Sequence, residues 1–199
     1  MKKQAFPSKH LLVDRLHRGL STSFFKGVIR LKAKVISATA LTILFVSTLV
    51  FFYPYRQVIA LTYENKDSLL AYVPLKKEET FLIQYTHSIH LSDVVESYQL
   101  SHNQIVQTEL SYKDFAVGMP ANAEGEEVFE EKNGTYYIKN MNRGFPFIDV
   151  RIGQIRANHR LIYENRVYTL SKSVKPGTWI RISKRKLTLW EQWKAAKIK

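Results

Sequence analysis

The chain has 199 residues, with 30 Lys and Arg against 17 Asp and Glu, no cysteine and a formal charge of +13. Residues 1–34 hold nine of those basic residues and one acid, Asp14, so +8 of the charge sits at the N-terminus and only +5 on the remaining 165 residues. That distribution argues against a nucleic-acid binder, whose basic footprint lies on its folded domain, and the lack of cysteine rules out a disulfide-stapled scaffold.

In chain order, a basic arm over 1–34 leads into "VISATALTILFVSTLVFFY", Val35 to Tyr53, which is 19 residues without a charge, Gly or Pro. At about 1.5 Å per residue, such a helix nearly spans a hydrocarbon core of roughly 30 Å. The run ends in "FFYPYR", bulky and aromatic where a cleavage site needs small residues, so residues 35–54 are predicted to be an uncleaved signal anchor. Tyr53 and Tyr55 suit the membrane interface, and Pro54 stops the helix. Lys26, Arg30, Lys32 and Lys34 precede the run closely, whereas only Arg56 and Lys66 follow it nearby. The positive-inside rule then predicts a single-pass protein of the cell membrane, N-terminus cytoplasmic and C-terminal domain outside, with the lipid bilayer as its first partner.

From Val58 the apolar pattern takes on period two. Segments such as "FLIQYTHSI", "VVESYQL", "TYYIKN", "RLIYEN" and "TWIRIS" are rich in Val, Ile, Thr and Tyr, as strands are. "KNGT" at Lys132–Thr135 is the strongest turn signal, "SHNQ" and "YENR" are further hairpin candidates, and "KPGT" at Lys175–Thr178 is a turn. The acidic "EGEEVFEE" reads as a solvated loop entering a strand. Eight to ten short strands at this spacing predict an all-β antiparallel sandwich or small barrel over 55–185, preceded by one transmembrane α-helix. The tail, 186–199, carries Trp190 and Trp193 among basic residues. It fits a short amphipathic helix on the outer leaflet, or equally a helix packed on the sheet with a basic end.

One stretch breaks the strand pattern. "YTHSIHLSDVVESYQL", Tyr85–Leu100, places His87 and Glu96 where alternation calls for apolar residues. With a two- or four-residue connection, His87 is predicted to face Glu96, Tyr85 to face Tyr98, and Ile83 to face Leu100, all on the inward side. Such a pair holds a hairpin together, belongs to a binding or metal site, or takes part in catalysis. A Ser-His-acid triad is not supported, because Ser88 follows His87 in the strand and points to the opposite face, so no catalytic residue is assigned.

"YTHSIHLSDVVESYQL", "FAVGMP" and "ANHRLIYENRVYTL" together resemble the bacterial domain of unknown function family 1850, over roughly residues 80–183. The resemblance implies a candidate pocket of His87, Ser88, Glu96, Gly118 and His159. The family's Gly-x-Gly turn reads Ala116-Val117-Gly118 here. Members are often encoded beside the membrane subunit of TRAP-type solute importers that use a TAXI-type binding protein. The resemblance thus implies an accessory to solute uptake, with the permease or its TAXI solute-binding protein as partner. His159 is in phase with Leu161 and Tyr163, and a two-residue turn at Glu164-Asn165 sets it opposite Leu170. No cofactor is predicted. The alternatives are a divalent metal held by His87, Glu96 and His159 in an envelope enzyme, and a purely structural envelope protein.

Overall fold

The computed structural model describes residues 9–64, 66–102, 104–115 and 119–198. The chain divides into two compact units, 1–51 and 52–199. The first is a helix, α1 (Lys9–Phe52), whose segment Arg30–Phe52 is long and apolar enough to cross a membrane. The hydroxyls of Thr39, Thr42 and Thr48 donate to the carbonyls of Val35, Ala38 and Leu44 at 2.8–3.0 Å. An apolar helix can carry threonine on these terms, since each of these three hydroxyls has an acceptor. The basic arm is helical from Lys9 onward, and its first eight residues lie outside the described ones.

Among its described residues the second unit is all β apart from one short helix and a 3₁₀ turn. Its strands are β1 (Arg56–Tyr63), β2 (Leu69–Pro74), β3 (Thr80–Thr86), β4 (Asp93–Leu100), β5 (Ile105–Tyr112), β6 (Val128–Lys132) and β7 (Thr135–Lys139). They are followed by β8 (Arg143–Phe145), β9 (Ile148–Arg151), β10 (Arg160–Tyr163), β11 (Arg166–Thr169), β12 (Trp179–Leu187), α2 (Leu189–Lys194) and β13 (Ala196–Lys197). One sheet runs β13-β2-β1-β12-β9, and the other runs β11-β10-β3-β4-β5-β7-β6 with β8 also on β5. Among the described residues, the pairings are antiparallel except β13 on β2.

The two sheets meet through Ile59, Leu61, Val73, Ile180 and Ile182 from one and Phe81, Ile83, Leu100, Ile105 and Leu161 from the other, all buried in one core. This is a sandwich, as the alternation in β3, β10 and β12 predicts. The larger sheet extends past the smaller one, and there Val94, Leu110, Tyr112, Ile138 and Met141 form a second cluster with Met119 and Phe129 packed on it. Turn chemistry holds as read. Asn133 (φ 53°) and Gly134 (φ 71°) join β6 to β7, and Glu164 (φ 47°) and Asn165 (φ 58°) join β10 to β11. Two successive left-handed residues match the twist of a two-residue hairpin.

The first strand shows why alternation is not universal. Val58, Ile59, Ala60 and Leu61 are all fully buried. Ile59 and Leu61 enter the sandwich core, while Val58 and Ala60 pack with Tyr72 and Leu187 on the outer face, against Ala195 after α2. Residues 186–198, expected to carry a helix either on the outer leaflet or packed on the sheet, join the sandwich through strands on both sides of that helix. Lys186 and Leu187 finish β12, Ala195 after α2 packs on the outer face, and β13 adds a strand to β2. Thr188 and Glu191 form a reciprocal capping box that starts α2.

Candidate functional site

The connection from β3 to β4 differs from the predicted one. The last pair is Thr86 opposite Asp93, so Tyr85 faces Val94, Ile83 faces Glu96, and Phe81 faces Tyr98. Each partner is displaced by four positions from the expected register. Four is even, so the same residues keep the inward face. His87 therefore does not sit across from Glu96; it opens a six-residue connection, 87–92. His87 N–H donates to Ser92 O at 2.8 Å and Leu91 N–H to His87 O at 3.0 Å, which closes the loop. Leu91 takes φ 56°, a left-handed backbone that leucine rarely adopts. Asp93 is drawn into the strand by three donors: Gln84 Nε2 at 2.7 Å, Thr86 Oγ1 at 3.2 Å and Arg160 Nη2 at 3.1 Å.

Glu96 finds other partners on the inward face. Tyr98 donates its hydroxyl to Glu96 Oε2 at 2.7 Å, and Tyr85 donates to Oε1 at 3.4 Å. Burial raises the Glu96 carboxyl above its ordinary value, against the lowering effect of the two hydroxyls. Burial, with the neighbouring carboxylate, raises both tyrosines as well. Next to the carboxylate, β5 carries one extra residue: Glu96 pairs with Leu110, Ser97 with Glu109, and Tyr98 with Gln107, leaving Thr108 as a bulge.

His159 joins this cluster through Tyr85, whose ring stacks on the imidazole at 5.4 Å between centroids. The β10–β11 register continues into Leu170 N–H donating to His159 O at 2.9 Å, so His159 stands opposite Leu170 as the turn predicted. Its Nδ1 accepts the N–H of Gly153 at 3.2 Å, which leaves the ring proton on Nε2 in the neutral form. Burial holds its pKa below the ordinary histidine value. His87 uses its Nδ1 in a similar way, as a long acceptor for Ile89 N–H at 3.4 Å. Both histidines thus serve loops: His87 the connection 87–92, His159 the connection 153–158.

The second loop is tight. A Cβ on Gly153 would lie 2.5 Å from the Ala157 Cβ, and Ala157 O accepts Thr86 N–H at 2.8 Å. That bond sets the two loops side by side. Each presents apolar side chains to solvent: Ile89 is 67% exposed, Leu91 57% and Ile155 92%. Their position in the unit follows from the hydrogen bonds. β12 pairs its last residue, Leu187, with Arg56, and its first, Trp179, with Arg151, just before the second loop. Eight residue steps of strand place the tips roughly 25–30 Å from the end where Arg56 enters.

Of the sequence-derived candidates, Glu96 and His159 are brought into one cluster through Tyr85. His87 and exposed Ser88 lie in the connection, and Gly118, with Ala116 and Val117, lies outside the described residues. Among the described residues, no three His, Asp or Glu side chains are placed to hold a metal ion. Tyr85 and Tyr98 were missed as site residues, although both sit in phase with Glu96 on strands whose alternation is plain. Arg160 and Asp93 were missed because Asp93 reads as a turn residue. The cluster can exchange a proton at a raised carboxyl and offer tyrosine hydroxyls.

No curated protein and no solved structure matches the chain. Residues 81–170 match the family model of a domain of unknown function, DUF1850. The segment that supplies nearly all of β3 through β11, with both loops and both histidines, is a DUF1850 domain.

Proposed function

We propose that this protein is a membrane-anchored extracytoplasmic accessory module, non-enzymatic, which docks through its far end onto a TRAP-type solute importer or its TAXI solute-binding protein. The observation that carries the reading is the pair of braced loops with Ile89, Leu91 and Ile155 exposed at their tips. Left-handed φ at a non-glycine residue costs of order 1–3 kcal/mol, and exposed aliphatic side chains gain nothing in the free domain. Both features make sense if a partner covers them. Glu96, Tyr85, Tyr98 and His159 lie beneath the tips and stiffen the strands that carry them. The choice of importer rests on family likeness, and the orientation on the excess of basic residues before the apolar run.

Capture from native membranes tests it. Full-length protein extracted in mild detergent after crosslinking is expected to bring down the permease or its binding protein. Ile89→Ser with Ile155→Ser is expected to lose that capture while keeping its melting temperature. Recovery of neither protein at native expression, or undiminished capture by the double variant, would overturn the proposal.

A further inference from the structure

We infer that α2 and the strand ends beside it form a second lipid contact, an interfacial patch resting on the headgroups of the bilayer that Arg30–Phe52 crosses. The inference depends on that helix being a membrane span. Phe52, the first residue of the second unit, continues into exposed Tyr53 and Tyr55. Tyr55 N–H donates to Leu187 O at 3.2 Å, and Thr188 caps α2 directly afterwards. Phe52 and Trp190 lie 6.3 Å apart between ring centroids. The helix therefore starts where the chain leaves the apolar run.

Ala195, directly after α2, packs on the outer-face cluster of Val58, Ala60, Tyr72 and Leu187, while α2 itself has no fully buried residue. Trp193 is 75% exposed, with its ring 5.4 Å from Trp190. Lys194 Nζ stands 4.3 Å from the Trp190 ring centroid. The helix is held in this attitude. Its capping box closes the N-terminus, and Glu191 Oε1 accepts Arg185 Nη2 at 2.7 Å. Those two interactions also consume the carboxylate of Glu191, and Arg56, Lys186 and Lys194 are exposed around it.

Indole and phenol rings interleaved with lysine suit the headgroup layer, where a ring finds apolar chains and its polar edge finds water. The exposed cations complement anionic lipid. Covalent attachment to the span keeps the patch within a few residues of the bilayer, so even a weak affinity is enough to hold it down. Lipid is the occupant this continuity selects; a second copy of the chain is the other outcome.

The test uses full-length protein in vesicles of phosphatidylcholine and phosphatidylglycerol, with and without bromine on the acyl chains. One variant keeps only Trp193 (Trp179→Phe, Trp190→Phe). Another keeps only Trp179 (Trp190→Phe, Trp193→Phe), at the opposite end of β12. A nitroxide on Val46→Cys, the only thiol in a chain without cysteine, reports whether the span is in the bilayer. Expected are oxygen access at Val46→Cys, and Trp193 emission shifted to the blue and quenched by bromolipid, more strongly as phosphatidylglycerol rises. Trp179 emission should not respond. A nitroxide on Lys194→Cys, with all three tryptophans kept, gives the same depth reading should a tryptophan variant fold poorly. With Val46 in the bilayer, quenching of Trp193 no greater than that of Trp179 would overturn the patch alone. So would a blue shift that bromolipid leaves untouched, since a second copy would then be the cover. A Val46 label outside the bilayer would overturn the span and the patch together.

Discussion

Tyr98→Phe removes one hydroxyl and leaves the rest of the ring in place, stacked on Phe81 at 5.3 Å between centroids. Glu96 Oε2 then loses its 2.7 Å donor and the carboxylate keeps only the 3.4 Å contact from Tyr85. A hydrogen bond to a charged group is worth about 1.5–3 kcal/mol, and one between neutral groups about 1 kcal/mol. The Glu96 carboxyl is raised by burial, so it gives up its proton at a higher pH than an ordinary carboxyl does. Its stabilising neutral form is fully present below the ordinary value of 4.5, and the contribution is lost as pH rises through the raised value. Removing the tyrosine donor raises that value further and makes the charged form costlier. For a domain of this size Tm moves by roughly 2–4 °C per kcal/mol, so the variant is expected to melt about 3–12 °C lower at alkaline pH and about 2–4 °C lower under acid conditions. Thermal unfolding of the full-length protein in detergent, followed by near-UV circular dichroism across that pH range, reads the difference. A loss of the same size at both ends, or none, would refute the account of the cluster.

Glu96→Gln keeps an acceptor for Tyr98 without a charge, so its stability in urea should stay level as pH rises while that of the wild type declines. His159 has the opposite sign: its lowered pKa means its neutral form stabilises the fold above the ordinary value of 6.5, and that contribution is lost as pH falls through the lowered one. Amide exchange at Gly153 should accordingly quicken on acidification in the wild type, and be fast and pH-independent beyond intrinsic exchange in His159→Phe, which keeps the stack on Tyr85 but has no acceptor. His87→Ala and Glu96→Ala should add within about 0.3–0.5 kcal/mol in a double-mutant cycle, because the two side chains lie on different parts of the hairpin. Coupling beyond that would restore the cross-strand pair.

Much of the fold is legible in period two. β3, β10 and β12 alternate because one face meets the opposite sheet and the other meets solvent, and Glu164-Asn165 set the β10–β11 register correctly down to His159 opposite Leu170. β1 was not read as a strand of its own because it is buried on both faces. The cause lies some 130 positions later in the chain, in Leu187 and Ala195. The site is half legible for a related reason. Alternation assigns Tyr85, Glu96 and Tyr98 to one face, but the number of residues in the connection decides which of them meet. That number depends on Leu91 taking φ 56° and on Asp93 being claimed by Gln84, Thr86 and Arg160. A leucine gives no local sign of a left-handed backbone, and Arg160 reaches Asp93 only once β10 has paired with β3. The imidazoles looked like ligands because they interrupt apolar strands. They interrupt them where strands give way to loops, and each takes up a main-chain N–H of the loop it serves.

The most direct measurement of the central claim is site-specific photocrosslinking in cells, with a photoreactive residue at Ile89 or Ile155 and a control at Asn133 in the β6–β7 turn. The account expects the same transporter subunit or solute-binding protein to be attached from both loop tips and not from the control. No adduct from either tip, or an equal adduct from Asn133, would contradict it.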